Sequence, residues 1–208
     1  MATVVLAGGG TAGHIEPALA VAREWMKSHP TDTCIFLGTK SGLENTLVPA
    51  AGFQLSTIPK VKISRTPSAS WLRIPFDLIA SIAASITVVK NADVVIGFGG
   101  YVSAPAYLAA AITRSPIVIH EANAKPGWAN RVGARFTKHL AVAHPVEEGS
   151  FSSALLAGLP LRSDVARGCT ESASDWSKAR SAAKSRLGFS TAAPLVVIMG
   201  GSQGSVAI

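Results

Sequence analysis

Hydrophobic positions in this chain fall into two recurring patterns. Short apolar runs, many rich in β-branched residues, read as strands at Thr3–Ala7, Thr33–Leu37, Gln54–Ile58, Val94–Ile96, Ile117–His120, Leu140–Ala143 and Ala154–Ala157. Longer helix-like segments fall between the earlier ones. Pro17–Ser28 carries Leu19, Ala22, Trp25 and Met26 on one stripe, and Gly42–Ala51 and Phe76–Asn91 follow. Strands this short and this apolar suit a parallel sheet covered on both faces. The strand–helix alternation predicts an α/β fold, a Rossmann-like doubly wound parallel sheet.

The pattern changes after Arg162. Ser163–Ser190 is polar and rich in serine and alanine, with one helix expected over Asp175–Leu187, and Pro194–Met199 then reads as a new buried strand. The expected organisation is a first domain over residues 1–163 and a helix-bearing linker over 164–193. Residues 194–208 are then the opening strand and glycine turn of a second α/β domain, truncated at its start. A strand and one turn of helix cannot build a core of their own.

Three glycine-rich turns each follow an apolar run: Gly8 to His14, Gly97 to Tyr101, and Gly200 to Gly204. A strand turning sharply into a helix aims free backbone N–H groups and the positive end of the helix dipole at one point. That point suits phosphate or a polarised sugar oxygen. His14 just past the first turn adds a proton acceptor suited to near-neutral pH, with Glu16 near enough in sequence to orient it. Gly8, Gly10 and Gly13 also match the G-x-G-x-x-G spacing of dinucleotide folds. That reading wants an acidic residue at the end of the second strand, and Phe36-Leu37-Gly38-Thr39-Lys40 has none; Asp32 precedes the strand and Glu44 lies beyond the turn. At the same sheet edge Glu121 and Asn123 are candidates for sugar hydroxyls or amides, beside the reading of an ordinary polar loop. Tyr101 and Ser103 carry the same two readings. Arg162, at the change in composition, is placed to grip phosphate or to sit solvated on the surface.

Composition narrows the class. The 208 residues are 48% hydrophobic and only 15% charged, which argues against disorder, and the net charge of +7 favours an acidic partner. Lys60, Lys62, Arg65 and Arg73 interleave with Trp71, Leu72, Ile74 and Phe76, a mixture suited to an anionic membrane surface or to a solvated loop leading into a core helix. No nucleic-acid module or aromatic stacking platform is visible. Cys34 and Cys169 show no metal or disulfide spacing, which fits a reducing compartment, and no metal-ligand cluster is apparent. The N-terminal apolar run is broken at once by glycines and does not read as a signal peptide.

The segments GGGTAGHIEPALAVA, FLGTKSGLE, GFGGYVSAP, HEAN, GLPLRSDV and GGSQG occur in this order along nearly the whole chain. Together they resemble the MurG family of glycosyltransferases, and its actinobacterial branch in particular. The resemblance implies a GT-B fold with an acceptor-binding N-terminal domain and a C-terminal domain for the UDP-sugar. It implies an inverting transfer of GlcNAc from UDP-GlcNAc to the muramyl C4 hydroxyl of undecaprenyl-diphosphate-linked muramyl-pentapeptide (lipid I), giving lipid II at the cytoplasmic face of the membrane, with no redox cofactor. By the motif match His14 is the base, and Gly10, Thr11, Ala12 and Gly13 line the turn near the acceptor diphosphate or donor sugar. Asn123 and Arg162 match donor-contacting positions, Tyr101 and Glu121 belong to the matching segments, and Ser202 matches the serine at the UDP diphosphate. The region from Lys60 to Phe76 corresponds to the membrane-facing patch. Ala12 stands where the family commonly has glycine, Leu159 where it has asparagine, and Ala104 where it has glycine. The resemblance also implies that the 208 residues lack a complete UDP-sugar site and are inactive alone. The competing readings are a non-catalytic lipid- or membrane-binding fragment, a GT-B transferase with another acceptor, and a dinucleotide enzyme.

Overall fold

A computed structural model describes residues 1–61 and 74–198. The chain divides into two compact units, Met1–Pro160 and Leu161–Ile208.

The first unit is built on seven parallel strands in the order β3-β2-β1-β4-β5-β6-β7. These are β1 (Thr3–Gly8), β2 (Thr33–Gly38), β3 (Gln54–Thr57), β4 (Val94–Gly99), β5 (Ile117–Glu121), β6 (Leu140–Val142) and β7 (Leu155–Leu156). Helices α1 (Ala12–Ser28), α2 (Glu44–Ala50), α3 (Ile74–Val89), α4 (Ser103–Thr113) and α5 (Trp128–Gly133) connect them.

Alternation along β1 shows why the fold is doubly wound. Val4 and Leu6 pack with Ile15, Leu19 and Phe36 in one cluster, while Val5 and Ala7 pack with Tyr107, Ala110 and Ile119 in the other. Both faces are therefore covered, which is why the central strands read as nearly unbroken apolar runs. The strand order reverses between β1 and β4. Ligands of open α/β sheets collect at such a switch, beyond the carboxyl ends of the strands. At that spot the β1–β4 register shifts by one residue, with Ala7 opposite Gly97 and Gly8 opposite Gly99.

Several elements depart from the sequence expectation. Helix α1 begins at Ala12 rather than Pro17, with Thr11 as its N-cap in extended conformation. Pro17 sits inside the helix and removes only the bond to the Gly13 carbonyl. Helix α5 lies in a stretch for which the pattern predicts no element, and so does helix α4. Helix α4 buries seven residues, among them Ala104, Tyr107 and Ala110, and so shows no polar stripe.

A further departure lies in the second unit, where the described residues form α6 (Ser163–Ser174) and α7 (Trp176–Arg186). Residues 194–198, expected to be a buried strand, pair with no strand, and Val196, Val197 and Ile198 are exposed. A lone strand has no ladder to join among the described residues. Met199 and Ser202 lie outside them.

Candidate functional site

The first glycine turn and the second meet at the switch point. Gly10 (φ +91°) and Gly100 (φ +80°) both adopt the left-handed region that side chains resist. A Cβ on Gly100 would collide with the Gly9 carbonyl, and one on Gly10 would lie 2.8 Å from the Tyr101 ring. Neither glycine tolerates a side chain, so the two turns can lie backbone against backbone.

His14 sits in the third position of α1 and leans on this junction. Its Nδ1 is 3.0 Å from Thr11 Oγ1, and its ring flanks Gly99 and Gly100. Burial pushes its pKa below the ordinary 6.5, against the smaller opposing pulls of the Glu121 charge and the Gly9 carbonyl. The imidazole is therefore neutral at pH 7. The N–H groups of Ala12 and Gly13 make no hydrogen bond among the described residues, so the start of α1 presents two unclaimed donors beside the ring. Ala12 is helical, so its β-carbon sits there without strain. Gly13 is exposed, and a Cβ there would meet nothing closer than Thr11 Oγ1 at 3.7 Å.

Glu121, at the end of β5, is buried. Its Oε1 accepts from Asn123 N (2.8 Å) and Nδ2 (2.9 Å), and its Oε2 accepts from Gly127 N (2.8 Å) and Asn130 Nδ2 (2.9 Å). With four donors on two oxygens, Glu121 clamps its loop rather than offering a free oxygen. Of the pair read from the sequence, Asn123 is the more available. Asn130 in α5, not singled out in the sequence, also accepts from the buried Tyr107 hydroxyl at 2.7 Å.

The Tyr101 hydroxyl likewise turns inward, 2.9 Å from Thr39 Oγ1 and 3.3 Å from Glu44 Oε1, and burial raises its pKa. What Tyr101 presents outward is its ring, with Lys60 Nζ 5.3 Å from the centroid. Ser103 Oγ is buried between the Ala7 and Gly99 carbonyls, 2.8 Å from each, and ties β1 to β4. Arg162 belongs to the second unit, at the N-cap of α6, where its Nε lies 3.4 Å from Asp164 Oδ1.

Glu44 is the residue whose role sequence reasoning missed. Set aside as lying beyond the turn, it is buried, and its Oε2 accepts the Gly10 N–H at 3.2 Å. A carboxylate thus stands at an amide that a dinucleotide pyrophosphate would need, and like charge opposes that reading. Among the described residues no group of three His, Cys, Asp or Glu is placed to hold a metal.

Residues 4–142 match the glycosyltransferase family 28 N-terminal domain. The chain belongs to this family. It is 46% identical over 206 residues to a Frankia casuarinae protein named UDP-N-acetylglucosamine--N-acetylmuramyl-(pentapeptide) pyrophosphoryl-undecaprenol N-acetylglucosamine transferase, covering 98% of this chain and 53% of that one. A protein of the same name from Paenarthrobacter aurescens is 43% identical over 208 residues, covering 99% of this chain and 54% of that one. Among solved structures, Acinetobacter baumannii MurG superposes with a TM-score of 0.65 at 30% identity, over 80% of this chain and 47% of that one. The chain spans about half the length of the curated relatives it matches. As a family 28 N-terminal domain it has the Rossmann-like sheet of the GT-B half that the sequence motifs implied.

Proposed function

We propose that this chain is the acceptor-binding half of an inverting glycosyltransferase that moves GlcNAc from UDP-GlcNAc to the muramyl C4 hydroxyl of lipid I. The observation that carries the reading is His14, held neutral by burial between two glycine turns and beside the unclaimed amides of Ala12 and Gly13. The names of the relatives supply the substrates.

In this reaction the Gly9 carbonyl and Thr11 Oγ1 hold the proton on Nδ1, which leaves the Nε2 lone pair free. Nε2 takes the proton of the C4 hydroxyl as its oxygen bonds to the sugar C1. The bond from C1 to the UDP oxygen breaks, and UDP leaves with the electron pair. The Ala12 and Gly13 amides and the dipole of α1 receive acceptor diphosphate charge. Asn123, fixed by Glu121, serves the donor sugar, and the motif match gives Arg162 a role at the donor and Ser202 one at the UDP diphosphate.

The membrane reading draws on α3. Its Ala84, Ile86, Val88 and Val89 pack on the core, while Phe76 and Ile79 are 74% and 64% exposed, so the start of this apolar helix offers large hydrophobic side chains outward. Of the basic patch read from the sequence, Lys60, Val61 and Ile74–Phe76 fall among the described residues. No described helix is long and apolar enough to cross a membrane, and attachment to the cytoplasmic face through this surface fits.

The test joins this chain to the C-terminal half of the Frankia casuarinae relative and follows transfer from UDP-GlcNAc to lipid I. His14→Ala is expected to lower turnover ~10²–10⁴-fold while UDP-GlcNAc binding persists. Near-normal turnover in that variant removes His14 from the mechanism, and transfer to a different acceptor alone would reassign the substrate.

A further inference from the structure

We infer that Glu44 is the positioning residue of this site, its carboxylate filling the anion place on the first glycine turn and locking that turn to the second. Its side chain is wholly buried and has no ion-pair partner among the described residues. Neutral donors from three elements surround it instead. Gly10 N reaches Oε2 at 3.2 Å, from the turn after β1. Thr39 N and Oγ1 reach Oε1 at 2.9 and 3.2 Å, from the end of β2. The Tyr101 hydroxyl approaches Oε1 at 3.3 Å, from the turn after β4.

The glycines around it complete the picture. A Cβ on Gly38 or Gly42 would occupy the volume of the Glu44 side chain, and one on Gly9 would lie 3.2 Å from Oε1. The space is kept for a carboxylate, and the carboxylate does for this turn what a bound phosphate does for turns of similar spacing. Two consequences follow from the geometry. The Gly10 amide is withdrawn from ligand binding, so an incoming diphosphate is left with Ala12 and Gly13, farther along and next to His14. Tyr101 and Gly100 are held against Gly9, and the His14 ring rests on that junction. The consequence for the diphosphate rests on the acceptor reading above; the positioning of His14 does not.

The experiment uses Glu44→Gln in the 208-residue chain, studied by NMR. The substitution keeps the shape but sets an amide donor against an N–H donor at either Gly10 or Thr39. Hydrogen exchange at Gly10 or Thr39 is expected to rise ~3–10-fold while Ile96 and Val118, in β4 and β5, keep their protection. The His14 titration midpoint is expected to move up toward 6.5 as water reaches the ring. Unchanged exchange with an unchanged His14 midpoint overturns the inference, and so does a uniform rise that includes Ile96 and Val118.

Tyr101→Phe, which deletes only the hydroxyl, provides the second variant if the first does not fold. A His14 midpoint that moves up with Gly10 exchange unaltered supports the lock, and an unmoved midpoint overturns it. Inorganic pyrophosphate added to the unsubstituted chain reports separately on the acceptor reading. No shift at Ala12 or Gly13 counts against that reading and leaves the Glu44 result standing.

Discussion

Gly13 and His14 occupy adjacent places on α1 and answer to different demands. Nothing in the packing requires glycine at residue 13, since the position is helical, exposed and open. Gly13→Ala is therefore expected to leave thermal stability unchanged or improved by up to ~0.5 kcal/mol. It is also expected to weaken binding of a diphosphate-linked lipid about tenfold, because a methyl group then covers the amide a phosphate would use. Equal binding by both proteins in a titration would show that the amide is not used. His14 carries a pH signature. Its folded pKa lies below 6.5, so stability from the neutral ring is complete above 6.5 and is lost as pH falls through the folded value. Denaturant melts at several pH values should show a shallower acid loss in His14→Gln, and an identical loss would contradict the buried neutral imidazole. His14 was legible in the sequence because it sits within a local motif. Glu44 was not, because beside its local bonds to Thr39 it makes contacts that span 34 and 57 residues and appear only once β1, β2 and β4 are laid side by side.

Helices divide by how they meet water. Helix α4 escaped the sequence pattern because it is buried nearly all round, and α6 because it buries none of its residues. Helix α4 lacks the two-sided stripe that marks a helix on the surface of a core, whereas α6 has one in Val165, Ala166, Cys169 and Ala173 and leaves it uncovered among the described residues. Helix α3 is apolar on both sides, packing Ala84, Ile86, Val88 and Val89 on the core while leaving other apolar side chains outside. Ser85 Oγ bonds the Ser81 carbonyl at 2.8 Å inside, while Phe76 and Ile79 face out. Phe76→Glu with Ile79→Glu is expected to abolish co-sedimentation with anionic vesicles at physiological salt without lowering the melting temperature, because neither side chain supports the core. Retained binding at low salt alone would assign the interaction to the basic residues.

Across the described residues, the buried hydrophobic core lies within Met1–Pro160. The centre of the sheet was readable because β1, β2 and β4 are largely continuous apolar runs buried on both faces, whereas the edge strands β3 and β7 bury no residue. The second unit offers little to hold its helices: α6 buries no residue and α7 only Lys184. Hydrogen exchange should show slow amides in β1, β4 and β5 and rapid exchange throughout α6 and α7. Strong protection in α7 would mean that the second unit folds as tightly as the first. The outward face of α3 also governs how the chain behaves when no lipid is offered. Hydrocarbon-seeking side chains on a rigid helix will find one another, so light scattering should rise with concentration in detergent-free buffer and fall on adding micelles. The handling of this protein in a test tube is then set by the same few residues that would give it an address in the cell.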